Sequence, residues 1–243
     1  MFAGNDGIRS CGGALRSSGA DVVSDAPPAR DFRSYGVGSE AVKRLVYLRH
    51  TKTAFNAEPM RLRGGLNVPL SDDGLAQIPS VVRRVKTAYP DVKRIFSSPL
   101  DRASILATTV ASEYGLTVTE LPELRSLDYG IFNGRVVSEV MDMLKTLTSL
   151  PGRDLSPRDG ESMGDFLERI AAGVKHVTAE APEEGCVIIV THLQNIMISR
   201  AYLRAGMPDD VRRMPYEYRE TNEVEPGTWV DLRREWVENG DKV

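Results

Sequence analysis

The 243-residue sequence predicts an α/β fold, a three-layer sandwich with a mostly parallel central sheet and helices on both faces. Three observations predict it. Leu45-Val46-Tyr47-Leu48 is a near-continuous apolar run ending in Arg49-His50, the pattern of a strand buried on both sides. Val187-Ile188-Ile189-Val190, closed by Thr191-His192, repeats that pattern far along the chain. Between the two, helical and strand-like segments alternate, as in parallel strands joined by helical crossovers. Open sheets of this kind bind ligands beyond the carboxyl ends of their strands. Two of the three histidines therefore stand where chemistry is expected.

Residues 1–43 are rich in Gly, Ser, Ala, Asp and Arg, contain Pro27-Pro28 and show little periodicity. Such a segment cannot bury enough apolar surface to offset its ordering entropy, so it reads as a disordered leader, and the domain is placed at 44–243. Asp6, Asp21, Asp25 and Asp31 argue against a transit peptide, which would be poor in acids. After the first strand, a loop over 58–69 leads to Ser71-Asp72-Asp73-Gly74, a helix start with Ser71 as cap. Leu75, Ile78, Val82 and Val85 recur at helical spacing as its expected buried stripe, and Pro79 is compatible only with the early turns. Val92 to Ser97 reads as the second strand, Arg102 to Tyr114 as a helix closed by Gly115, and Thr117 to Leu121 as the third strand. Helices are expected over 138–147, over 162–179 and from the His192 strand through Tyr202. Residues 149–159 form a Pro/Gly loop, and 228–232 an edge strand.

Composition narrows the function classes. No apolar run is long enough to cross a membrane. The net charge of -3 gives no global reason to expect nucleic acid. Cys11 and Cys186 are too few for a disulfide framework or a zinc site, and Cys186 reads as a small hydrophobe opening a core strand. A reducing, cytoplasmic setting is the expectation, and a homo-oligomer is left open.

Five motifs occur in one order. Arg49-His50-Thr51-Lys52-Thr53 with Asn56 comes first, then Arg61-Leu62-Arg63-Gly64 followed by Pro69-Leu70-Ser71 and Gly74. Ser97-Ser98-Pro99-Leu100 with Arg102-Ala103, Gly160-Glu161-Ser162 and Thr191-His192 complete the set. Together they resemble the histidine phosphatase superfamily, the phosphoglycerate mutase-like fold, over roughly residues 44–232. The resemblance implies a phosphatase acting through a phosphohistidine. His50 is the implied nucleophile, Arg49 and Arg102 bind phosphate, and His192 completes the pocket as a hydrogen-bonding, partly positive wall. Asn56 is the implied amide donor to phosphate, and Arg63, Gly64, Lys52 and Leu193 are substrate-side residues. No metal or other cofactor is implied, and the expected partner is a small phosphorylated metabolite.

The chemistry is consistent with those residue types. A phosphoryl group in transfer carries spread negative charge and needs fixed cations aimed at its oxygens. Guanidinium forks meet those oxygens bidentately and keep their charge. A neutral imidazole can attack phosphorus and split one difficult displacement into two easier ones. His176 lacks such a context and reads as structural or exposed.

Three departures bear on this expectation. Thr51 replaces the family's Gly after the nucleophile and Lys52 the following Glu or Gln, a Lys at that place being similar to the short phosphohistidine phosphatases of the superfamily. Leu193-Gln194 follows the second histidine, so an acid-phosphatase-type His-Asp pair is absent. In Leu124-Arg125-Ser126-Leu127-Asp128-Tyr129-Gly130, the position of the family's general-acid Glu holds Ser126. Loss of a general acid commonly costs about 10²–10⁴ in rate. Asp128 is the favoured substitute, on the reasoning that alternate strand positions share a face, with Glu123 as the other candidate. A substrate with a good leaving group, such as a phosphoramidate, needs less acid help. A mutase, and a catalytically weak phosphate-binding or scaffold module, are the remaining alternatives.

Overall fold

The computed structural model describes residues 44–149, 152–214 and 224–232. The leader expected at 1–43 lies outside the described residues. Five strands form one sheet: β1 (Arg44–Arg49), β2 (Val92–Ser97), β3 (Val118–Glu120), β4 (Cys186–Thr191) and β5 (Trp229–Asp231), in the order β3-β2-β4-β1-β5. β1, β2, β3 and β4 run parallel, and β5 pairs antiparallel with β1 at the edge. The helices are α1 (Asp72–Ala88), α2 (Asp101–Tyr114), α3 (Val137–Thr148), α4 (Met163–Glu180) and α5 (Leu193–Arg204). The expected three-layer α/β architecture is the one observed.

Alternation along the central strands divides the core in two. Val46, Leu48, Ile95, Ile188 and Val190 pack with Ile78, Val82, Leu106 and Val110 of α1 and α2. Tyr47, Phe96, Val187 and Ile189 pack on the other side with Phe166, Ile170, Val174 and Ile198 of α4 and α5. Both faces of β1 and β4 are thus covered, which is why these strands read as unbroken apolar runs.

Two details of α1 differ from expectation. Its buried stripe is Ile78, Val81, Val82 and Val85, whereas Leu75 is 48% exposed. Pro79 lies in the interior of the 17-residue helix rather than in its first turn. The carbonyl that loses its donor there belongs to Leu75, on the exposed side where water can take it. Ser71 does cap the helix, its hydroxyl accepting from Gly74 N at 3.1 Å. No described helix is long and apolar enough to cross a membrane.

Candidate active site

The sheet register builds the site. Arg49 of β1 lies opposite Thr191 of β4, so the residues that follow, His50 and His192, leave the sheet side by side. Their ring centroids are 5.3 Å apart with planes inclined at 60°. β2 is in register on the other side of β4, and Ser98, one residue past its end, donates its amide to Val190 O. The first turn of α2 then adds Arg102, which is fully buried.

His50 Nδ1 stands 2.7 Å from the Thr51 carbonyl. A carbonyl only accepts, so Nδ1 carries the proton and Nε2 the lone pair. Burial, and then the charges of Arg63, Arg102 and Arg49, hold this imidazole well below the ordinary histidine range. It is neutral at pH 7, with its nucleophilic electron pair on Nε2. His192 has the opposite tautomer. Arg102 Nε donates to its Nδ1 at 3.3 Å, so Nε2 carries the proton and donates to Ser98 Oγ at 2.9 Å. Burial, and then the charge of Arg102, lower its pKa as well. The partly positive wall expected of His192 is therefore corrected. The ring is neutral, both its nitrogens serve protein groups, and it orients Arg102.

Arg102 is held on all sides of its fork, with Nη1 donating to Leu66 O at 2.6 Å and Nη2 to Gly64 O at 3.0 Å. Arg49 Nη1 donates to Val224 O at 2.6 Å. Burial first, and then Arg63, lower Arg49 to about 10 and Arg102 to about 9. Both stay charged at neutral pH.

Two buried neutral histidines make stability depend on pH in one direction. Their folded pKa values lie below the unfolded value of about 6.5, so the unfolded chain takes up protons first as pH falls. Their contribution is complete above pH 6.5 and is lost on acidification, at up to about 1.4 kcal/mol per pH unit for each ring. Thermal unfolding between pH 7.5 and about 5 should show a falling Tm. His192→Asn and His50→Asn should each make that fall shallower.

A pocket of about 100 Å³ opens over these groups. Of the residues expected at the site, Arg49, His50, Arg63, Gly64, Arg102, His192 and Leu193 line it. Gly64 has φ +48°, and a Cβ there would fall 1.8 Å from Asn133 Oδ1, so only glycine fits. Lys52, Asn56 and Asp128 are not among its lining residues. Lys52 is exposed, and its carbonyl accepts from Ser71 N at 3.1 Å. Asn56 Oδ1 accepts from Thr53 N at 2.9 Å and from Thr53 Oγ1 at 3.0 Å, which makes Asn56 a staple of its own turn. Asp128 is corrected too. Residues 122–124 form a 3-10 turn and 125–129 are not a strand, so the alternation that favoured Asp128 does not exist. Asp128 Oδ1 instead accepts from Gly130 N at 2.9 Å and from Asn133 Nδ2 at 2.6 Å.

The sequence profile of the histidine phosphatase superfamily (branch 1) matches residues 45–231. The chain belongs to this superfamily. The bifunctional protein Rv2228c of Mycobacterium tuberculosis is 27% identical over 203 residues, 79% of this chain and 55% of that protein. The chain thus spans about half the length of that curated relative. A probable phosphoglycerate mutase GpmB of Yersinia pestis is 34% identical over 152 residues, covering 60% of this chain and 68% of the relative. Among solved structures, a mycobacterial glucosyl-3-phosphoglycerate phosphatase complexed with VO3 superposes with a TM-score of 0.61 at 24% identity. The match covers 78% of this chain and 92% of that one, and it speaks for the fold.

In this histidine phosphatase superfamily member, Ser126, at the position of the family's general acid, lines the pocket, as does Gln194 after the second histidine. Met60, Tyr129, Val137 and Met197 line it as well and were not singled out from the sequence. The Tyr129 hydroxyl donates to Gln194 Oε1 at 3.0 Å. The segment bearing Ser126 is gripped from outside the pocket. Arg169 Nη1 donates to the carbonyls of Glu123 (2.8 Å) and Arg125 (2.9 Å), and Asn195 Nδ2 to that of Leu124 at 2.7 Å. Glu161 ion-pairs with Arg169 and accepts from Asp128 N at 3.0 Å. The Gly160-Glu161-Ser162 motif was the visible signal for this clamp; its target was not visible.

Proposed function

We propose that this protein is a phosphatase that needs no metal, hydrolysing a small phosphorylated metabolite through a phosphohistidine at His50. One observation carries the reading. A neutral imidazole, pinned through Nδ1 so that Nε2 bears the electron pair, stands among the charges of Arg63, Arg102 and Arg49. The guanidinium groups supply the cationic field that a transferring phosphoryl group requires. A cytoplasmic setting belongs to the same reading, and Cys186 is a buried free thiol. A mutase ranks lower, because returning the phosphoryl group to an alcohol also calls for an acid–base group at the position of Ser126.

A panel of phosphorylated metabolites, assayed with a metal chelator present, tests the proposal. Release of inorganic phosphate together with an acid-labile, base-stable phosphoenzyme is the expected result. Ser126 also favours a second reading, a phosphate-recognition module, which predicts saturable binding with no turnover and no phosphoenzyme.

A further inference from the structure

We infer that Arg169 and Glu161 are positioning residues for the reaction. From outside the pocket they fix the segment 123–128, and through it the place of Ser126 in the pocket wall. This rests on the phosphatase reading above and concerns the same site.

The segment needs such a hold because the sheet ends before it. Leu121 N donates to Ser97 O at 2.9 Å, and Pro122 then opens a 3-10 turn. Residues 125–129 belong to no strand, so their carbonyls need donors other than a neighbouring strand. Side chains supply them for four successive residues. Arg169 Nη1 donates to Glu123 O and to Arg125 O, and Nη2 to Ser126 O at 3.4 Å. The Leu124 carbonyl accepts from Asn195 Nδ2 and from Thr191 Oγ1 at 3.0 Å. Thr191 and Asn195 flank His192 in sequence, so the second anchor of the segment is the turn that carries that ring.

Glu161 locks the far end. Its Oε2 accepts from Arg169 Nε at 3.1 Å, its Oε1 from Asp128 N at 3.0 Å, and its own amide donates to Asp128 O at 3.0 Å. Gly160 lets the two backbones meet, since a Cβ there would lie 2.7 Å from both Asp128 O and Gly130 N. Ser126 sits between these grips and lines the pocket, whereas Arg169 and Glu161 are not among the lining residues. Their side chains are 24% and 20% exposed. What the pair supplies is geometry, because a planar fork meets several carbonyls that one ammonium cannot. A wall displaced by about 1 Å through a residue remote from the chemistry can cost about 10²-fold in rate.

Arg169→Lys keeps the charge and loses the fork. With whichever of phenyl, glycerol and acetyl phosphate turns over fastest, kcat/KM should fall about 10- to 10²-fold. The inhibition constant of inorganic phosphate, held at the Arg49 and Arg102 end, should stay within about 2-fold of the parent. Glu161→Gln should lower kcat/KM in the same way but less, since Asp128 N keeps an acceptor, and it carries the comparison if Arg169→Lys does not fold. Arg212→Lys cuts ion pairs of the same helix, with Asp165 and Glu168, and should leave kcat/KM unchanged. Ser126→Ala should cost the parent at least about 3-fold more than it costs the Arg169→Lys or Glu161→Gln background, because clamp and wall act as one unit.

Unchanged kcat/KM in both clamp variants would overturn the inference, as would phosphate inhibition that weakens as much as kcat/KM falls. An equal loss in Arg212→Lys would overturn it by showing that loosening α4 is enough. The same Ser126→Ala effect in parent and variant, zero included, would overturn it by showing that the clamp does not act through the wall. In each of these cases turnover and a phosphoenzyme in the parent leave the phosphatase reading standing. Absence of both in the parent with all three substrates would overturn that reading, and this inference with it.

Discussion

Replacing His50 by Ala should abolish turnover and phosphoenzyme together while the fold persists. The expected loss follows from the tautomer. Only Nε2 of a ring whose Nδ1 is donated to the Thr51 carbonyl presents an electron pair, and no second such ring is available, because His192 Nδ1 already accepts from Arg102 Nε. Removing a nucleophile from a site that acts as a unit costs about 10⁶ in kcat, the residue being what the electrostatic cradle achieves alone. Stability should change little by comparison. A smaller buried side chain leaves a cavity, but it also removes a neutral ring that acid would otherwise charge. Rapid quench with radiolabelled substrate, followed by acid and base treatment, reads the phosphoenzyme directly. Phosphatase activity near the parent level in His50→Ala would remove His50 from the chemistry.

Arg102→Ala should be the second most damaging change, and for two reasons at once. It removes a charged donor from the phosphate end, a loss on the order of 10²–10³ in kcat/KM for one such group in a preorganised site. It also strands acceptors, because Leu66 O, Gly64 O and His192 Nδ1 all lose their donor. The buried carbonyls and the imidazole nitrogen then add their own desolvation cost. Arg102→Lys should restore charge but not the fork, since one ammonium cannot reach three acceptors that a planar group meets together. The expected order in kcat/KM is parent, then Lys, then Ala, with Lys still well below the parent. A fully active Lys variant would show that charge alone matters and that the fork does not.

The core of this site was legible because its determinants are local. An apolar run ending in a polar residue identifies a strand and its exit, and Arg49-His50 and Thr191-His192 carry that signature within a few residues. Which strands are neighbours was not visible. The parallel pairing that sets Arg49 against Thr191 depends on β4 inserting between β1 and β2. Errors arose where a distant partner overrides local pattern. Leu75 fits a helical stripe by spacing, yet Val81 takes the core position. Residues 125–129 alternate as a strand might, yet Arg169, Glu161 and Asn195 hold their backbone in an irregular path. Asp128 and Asn56 have the composition of site residues and are spent on turns. The rest of the pocket lining was the least legible part, since Met60, Tyr129, Val137 and Met197 come together only in the fold.

The crowding of guanidinium groups at the strand ends has a consequence for how this sequence is tuned. Arg49 and Arg102 are buried and each is lowered by the charge of Arg63, so the folded chain holds these cations at some cost to itself. A sequence chosen only to make this backbone as stable as it can be would not keep them. Selection for stability and selection for handling an anion therefore pull in opposite directions at these three positions. The layers packed on either face of β1 and β4 supply the surplus that lets the functional choice persist.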